Sequence, residues 1–91
     1  MHNIFYTPQA QKDLADIRDF IEKNDPEIAI KVIETIFFYI NNLSLFPHIG
    51  KQSNSQLWCR EIIEPTFRYR IIYEYDGTHV RVVAIFKYKN M

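Results

Sequence analysis

Phe67-Arg68-Tyr69-Arg70-Ile71-Ile72-Tyr73-Glu74-Tyr75, followed by Asp76-Gly77 and then by His79 to Lys87, is the stretch that decides the fold. In an extended chain Phe67, Tyr69, Ile71, Tyr73 and Tyr75 share one face, and Arg68, Arg70, Ile72 and Glu74 share the other. Asp-Gly between two such runs is a strong hairpin signal. A two-residue turn there predicts pairing of Tyr75 with Thr78, Tyr73 with Val80, Ile71 with Val82, Tyr69 with Ala84 and Phe67 with Phe86. One face is then apolar or aromatic throughout. The other sets Arg68, Arg70 and Arg81 among Ile72, Val83 and Ile85.

Working upstream, Pro65-Thr66 turns the chain out of a strand expected over residues 57–63, and Lys51 to Gln56 reads as a polar connector. Before that lie two helical patterns. Thr7 followed by Pro8 is a helix start, and Ala10, Leu14, Ile17 and Ile21 form one apolar stripe with most charges off it. Asn24-Asp25-Pro26 ends this helix and opens the next. The second stripe is Ala29, Ile33, Ile36, Ile40 and Leu43, broadened by Val32 and Phe37, and should run to about Leu45 before Pro47 and Gly50. So short a link favours an antiparallel helical hairpin, whose open face the sheet must cover. Asn3 to Tyr6 adds an opening strand, giving the order β-α-α-β-β-β.

At 91 residues the chain is long enough for one core and too short for two, so a single domain over residues 1–91 is expected. Hydrophobic residues make up 47% and there are only 2 Gly and 4 Pro, which excludes a disordered chain. The net charge of zero hides a division: residues 1–45 carry four bases and seven acids, and residues 46–91 carry seven bases and four acids. The basic half is the sheet half, a distribution that suits an acidic partner or a nucleic acid on one side. A lone cysteine, Cys59, excludes an intrachain disulfide and a CxxC metal pair. It reads as a small buried residue in a cytoplasmic protein. No run approaches the roughly 18 apolar residues of a membrane span.

His2, His48 and His79 lie on different elements without a carboxylate or thiol at ligand spacing, so no metal site is expected, nor any cofactor. Gly-rich phosphate loops and nucleophile elbows are missing. What remains is a set of cations, Arg60, Arg68, Arg70, Arg81, Lys87 and Lys89, with Tyr69, Tyr73 and Tyr88 near them. Arginine grips phosphate through its planar fork, and a metal-free ribonuclease could pair such groups with a Lys or Tyr that moves a proton. The same residues admit a structural reading, with Arg68 and Arg70 paired to Glu61, Glu64 or Glu74 across strands and Tyr73 in the core.

The succession of signals resembles the RelE/ParE superfamily of bacterial toxins. It is carried by Thr7-Pro8-Gln9-Ala10 through Leu14 and Ile17, Phe20-Ile21, Pro26 and Ala29, Leu43, Phe46-Pro47 and Gly50, then Arg60-Glu61-Ile62, Tyr69-Arg70-Ile71-Ile72-Tyr73 and a last strand from Val80 to Phe86. The resemblance implies a microbial-RNase-like α+β fold and a cognate antitoxin whose C-terminal segment wraps the toxin. It also implies one of two targets. RelE-like members cut messenger RNA in the ribosome, whereas ParE-like members lack that nuclease set and poison DNA gyrase. The spacings Pro26 to Ala29 and Phe46-Pro47 to Gly50, with the Arg60-Glu61-Ile62 strand, resemble the ParE branch more closely. Arg70 stands at the arginine of the family's Tyr-Arg-Ile-x-Tyr strand, a phosphate contact in RelE-like nucleases. Where many ParE members end in His-x-x-Arg, this chain has Phe86 and Lys89.

These readings converge on an α+β domain in which a helical hairpin packs on a C-terminal antiparallel sheet. The expected function is a ParE-like inhibitor of gyrase, silenced by an antitoxin, with Arg60, Arg68, Arg70, Lys87 and Lys89 as its basic contact side. The alternative is a RelE-like, ribosome-dependent endoribonuclease using Arg70, Lys87, Tyr88 and Lys89. A third is an inactive relative that binds only its antitoxin.

Overall fold

A computed structural model describes residues 2–53 and 58–87. The order is β1 (Asn3–Tyr6), α1 (Pro8–Glu22), α2 (Pro26–Asn42), β2 (Lys51–Gln52), β3 (Arg60–Glu64), β4 (Tyr69–Tyr75) and β5 (His79–Lys87). Both helix starts follow from their caps. The Thr7 hydroxyl accepts from the Ala10 amide at 3.1 Å, the Asp25 carboxylate accepts from the Ile28 amide at 3.1 Å, and a proline opens each helix. The hairpin covers one side of a five-stranded sheet ordered β1-β5-β4-β3-β2. Ala10, Val32, Ile36 and Ile40 from the helices meet Tyr69, Ile71, Val82 and Ile85 from the sheet in the main core.

The α+β class holds, with corrections of detail. The sheet is mixed, because β1 lies parallel to β5 at one edge while the other pairs are antiparallel. Lys51 and Gln52, read as connector, form the short edge strand β2. Helix α2 stops at Asn42, three residues early. Leu57 lies outside the described residues, and β3 begins at Arg60.

The hairpin register also differs. Tyr75 pairs with Val80, Glu74 with Arg81 and Tyr73 with Val82. The turn is Gly77-Thr78: Gly77 takes the positive φ (+96°) of the first turn position, and the Asp76 carboxylate accepts from the Thr78 and His79 amides at 2.8 and 2.6 Å. Beyond Tyr73 the ladder slips by one, with Ile72 opposite Ala84, which leaves Val83 as a bulge. The parity of β5 changes there. Val80, Val82 and Ile85 point into the core, and Phe86, expected inside, is 41% exposed.

Phe67 and Arg68, expected in the strand, instead belong to a four-residue turn between Glu64 and Tyr69. The buried Glu64 carboxylate organises it by accepting from the Thr66 and Phe67 amides, and Arg68 closes it at φ +67°.

One buried side chain ties the segment after α2 to the sheet. The Tyr73 hydroxyl donates to the Pro47 carbonyl at 2.8 Å and accepts from the Gly50 amide at 2.9 Å. A Cβ on Gly50 would stand 2.6 Å from that hydroxyl and 2.9 Å from the Glu61 carbonyl, so glycine is required by close approach. Tyr73→Phe leaves both backbone groups unpartnered in a dry site and is expected to destabilise the fold by about 1–3 kcal/mol, read as a lower urea midpoint. Burial pushes the Tyr73 phenol above its ordinary value of 10.0. A raised folded value means the contribution is whole below the unfolded value and is lost as pH rises through the folded one. The alkaline loss of stability should therefore be shallower in Tyr73→Phe than in the parent chain; identical alkaline limbs would contradict this.

Candidate functional site

Alternation along β3 and β4 sends Glu61, Ile63, Arg70 and Ile72 to the side of the sheet away from the helices. Glu61 is the centre of this outer face. Its carboxylate is 2% exposed and lies 3.2 Å from Arg70 Nε and 3.7 Å from Lys51 Nζ. The Arg70 guanidinium also sits 5.7 Å from the centre of the Phe86 ring, the residue directly opposite on β5. Arg70 is thus held between a buried carboxylate and an aromatic face. Its charge is largely matched from within the chain.

The other basic residues go elsewhere. Arg60 pairs with Tyr73 on the helix side of the sheet, where its guanidinium donates to the Gly50 carbonyl at 2.8 Å. Arg68 lies exposed in the turn after β3. Lys87, opposite Tyr69, donates to the Phe67 carbonyl at 2.6 Å and lies 4.8 Å from the centre of the Tyr69 ring. Tyr88 and Lys89 lie outside the described residues. The structure therefore does not gather these cations on one face: Arg70 lies outward, Arg60 and Lys87 on the helix side, and Arg68 at the rim. Strand parity alone missed this because it takes no account of the bulge at Val83 or the turn at Arg68. Nor is Tyr69 a ready proton donor, since burial and then the Glu64 charge push its phenol above 10.0.

Arg68 and Lys87 do share one end of the molecule. Beside them a groove of about 590 Å³ runs between α1 and the end of the β4–β5 hairpin, with Ile17, Phe20, Ile21, Phe67, Ile85 and Phe86 among its walls. Phe20 is 74% exposed. The polar groups at the rim already have partners: Asp13 accepts from the Ile85 amide at 2.9 Å, and Asp16 pairs with Lys12 at 2.7 Å. A groove with apolar walls and satisfied polar groups favours an apolar side chain over a small polar ligand. Phe20, an aromatic off the stripe of an otherwise polar helix face, was the sequence signal for it.

The sequence matches the family model of the ParE toxin of the type II toxin-antitoxin system parDE over residues 4–90. The chain belongs to the ParE toxin family. Among curated proteins no relative matches it. Solved structures of the same fold include a chain of the chromosomal ParDE system from P. aeruginosa, 20% identical, covering 98% of each chain with a TM-score of 0.86. A chain of the intact E. coli RelBE toxin-antitoxin complex is 17% identical over 99% of this chain and 100% of its own, with a TM-score of 0.71. One from the RelBE2 complex of Mycobacterium tuberculosis is 25% identical over 96% and 98%, at 0.64. In this ParE-family toxin the motif residues Gly50, Arg60, Glu61, Arg70 and Tyr73 are tied to one another or to nearby backbone.

Removing the charge from Glu61 strands Arg70. Glu61→Gln is expected to destabilise the fold by about 2–3 kcal/mol, toward the low end for enclosed pairs because 24% of the Arg70 side chain meets solvent. Lys51→Ala, at an exposed partner, should change stability by less than about 1 kcal/mol. Chemical denaturation separates them, and a Glu61→Gln chain as stable as the parent would show that Arg70 is held by other contacts.

Proposed function

We propose that this toxin arrests growth by binding DNA gyrase, and that a cognate antitoxin silences it by filling the groove beside α1. The observation that carries the first part is the separation of Arg70 from Lys87 by the sheet itself. Metal-free cleavage of RNA needs a phosphate-gripping cation and a proton-moving group at one phosphate. Here Arg70 is engaged by Glu61 on the outer face, and Lys87 lies on the helix side. That arrangement supports action by binding, as does membership of the ParE family.

The second part rests on chemistry at the groove. Its apolar walls suit aliphatic side chains, and Lys87 in its lining, with Arg68 next in the chain to the wall residue Phe67, suits acidic ones. An antitoxin segment alternating apolar and acidic residues meets both demands. Of the basic contact residues expected from the sequence, we assign Arg68 and Lys87 to direct contact with it. Arg60 and Arg70 act through the fold.

Induced without antitoxin, the chain is expected to stop growth and trap gyrase-DNA cleavage complexes while messenger RNA stays intact. Ribosome-dependent cuts that vanish in Arg70→Ala would establish the nuclease reading instead, and undiminished growth would leave a chain that only binds its antitoxin. Phe20→Glu alters an exposed side chain, so toxicity should persist while the antitoxin complex weakens by about 2 kcal/mol, roughly thirtyfold. Unchanged neutralisation of that variant would move the antitoxin off the groove.

A further inference from the structure

The outer face has a second end, at the Gly77-Thr78 turn and away from Arg70. There three adjacent strands place Phe5, Arg81 and Glu74 in one row, through the registers of Phe5 with Arg81 and of Arg81 with Glu74. Trp58, just before β3, stands at the same place. Trp58 is 71% exposed and Phe5 50%. Two large exposed aromatics side by side form an apolar patch of the kind that marks contact sites, and Trp is prominent among residues that dominate protein interfaces. Together they wall an open pocket of about 570 Å³ that Glu74, Asp76, His79 and Arg81 complete.

Two carboxylates, one guanidinium and one imidazole line this pocket. Glu74 lies 3.4 Å from Arg81 Nε, so one carboxylate is matched. Asp76 is the second. Its Oδ1 accepts from the Thr78 and His79 amides, which hold the carboxylate in place and draw its pKa below the ordinary value. Its Oδ2 lies 3.7 Å from His79 Nδ1 and the Asp76 side chain is 66% exposed, so an accepting carboxylate stands open beside two aromatic faces. Such a setting attracts a cation and repels a phosphate. A guanidinium suits it best, because it is planar, stacks on an indole and still offers N–H groups to carboxylates.

We propose that this pocket seats an arginine side chain presented by a partner protein, stacked on Trp58 beside Phe5 with its N–H groups toward Asp76 and Glu74. The proposal is independent of whether gyrase is the target. It also reverses the charge pattern of the other end of the molecule: Arg68 and Lys87 look for acids, and this pocket looks for a base.

The chain contains a single Trp, so the indole N–H resonance of the folded, full-length protein reports on this site alone. Titration with N-acetyl-arginine methylamide should shift it saturably, with half-saturation on the order of millimolar. The citrulline analogue, equal in shape and uncharged, should bind about tenfold more weakly. Asp76→Asn keeps a side chain able to hold the turn and should weaken arginine binding by a similar factor. Phe5→Leu should weaken it without touching the charges. Equal response to arginine and citrulline, or no saturable shift, would overturn the proposal. A preference for adenosine monophosphate would overturn it too, by making the site a stacking platform for a base.

Discussion

One extra residue in β5 governs much of this molecule. Where Val83 bulges, β5 changes parity, so Ile85 enters the core and Phe86 turns outward to face Arg70. The bulge persists because its backbone is engaged from α1. The Thr7 hydroxyl donates to the Val83 carbonyl at 2.8 Å while accepting from the Ala10 amide, and Asp13 accepts from the Ile85 amide where β1 no longer pairs with β5. A single helix start therefore caps itself, docks on the sheet and satisfies the strand's free edge. Without the slip, Lys87 would lie on the same side as Arg70.

The consequences divide the surface into three regions of different chemistry. At one end, Phe20, Phe67 and Phe86 border an apolar groove with Arg68 and Lys87 nearby. In the middle of the outer face, Glu61 joins β2 to β4 through Lys51 and Arg70. At the hairpin end, Trp58 and Phe5 stand over a pocket that holds the Glu74 and Asp76 carboxylates. A chain with no net charge thus offers contacts of both signs.

The residues that carried the sequence resemblance read differently once their contacts are known. Tyr73, Gly50 and Arg60 converge on the segment after α2: the Tyr73 hydroxyl spans Pro47 and Gly50, and the Arg60 guanidinium grips the Gly50 carbonyl from the other side. Packing is a sufficient cause for their presence in this chain. Arg70 belongs with them, because its buried partner Glu61 loses most of its solvation and is stabilised by that guanidinium together with the Lys51 ammonium. The histidines behave similarly. His2 and His48, far apart in the chain, both pack edge-on against Tyr75, and His2 meets its hydroxyl at 2.9 Å.

What the chain alone determined is whatever depends on neighbours in sequence. Thr7-Pro8 and Asp25-Pro26 start helices because cap and first-turn geometry involve only a few adjacent residues, and the stripes through Ala10 and Ala29 name the buried helix faces. Alternation in β4 placed Tyr69, Ile71 and Tyr73 in the core and Arg70 outside it. What only the tertiary structure decided depends on groups distant in sequence. The bulge needs Thr7 and Asp13, residues more than seventy positions away. The parallel placement of β1 depends on how the helices cross the sheet, and the fate of Arg70 depends on a carboxylate one strand over. Periodicity can assign a side chain to a face. Which partner awaits it there is settled by packing, and that is why Arg60, Arg68, Arg70 and Lys87, which looked like one surface, became separate features of the fold.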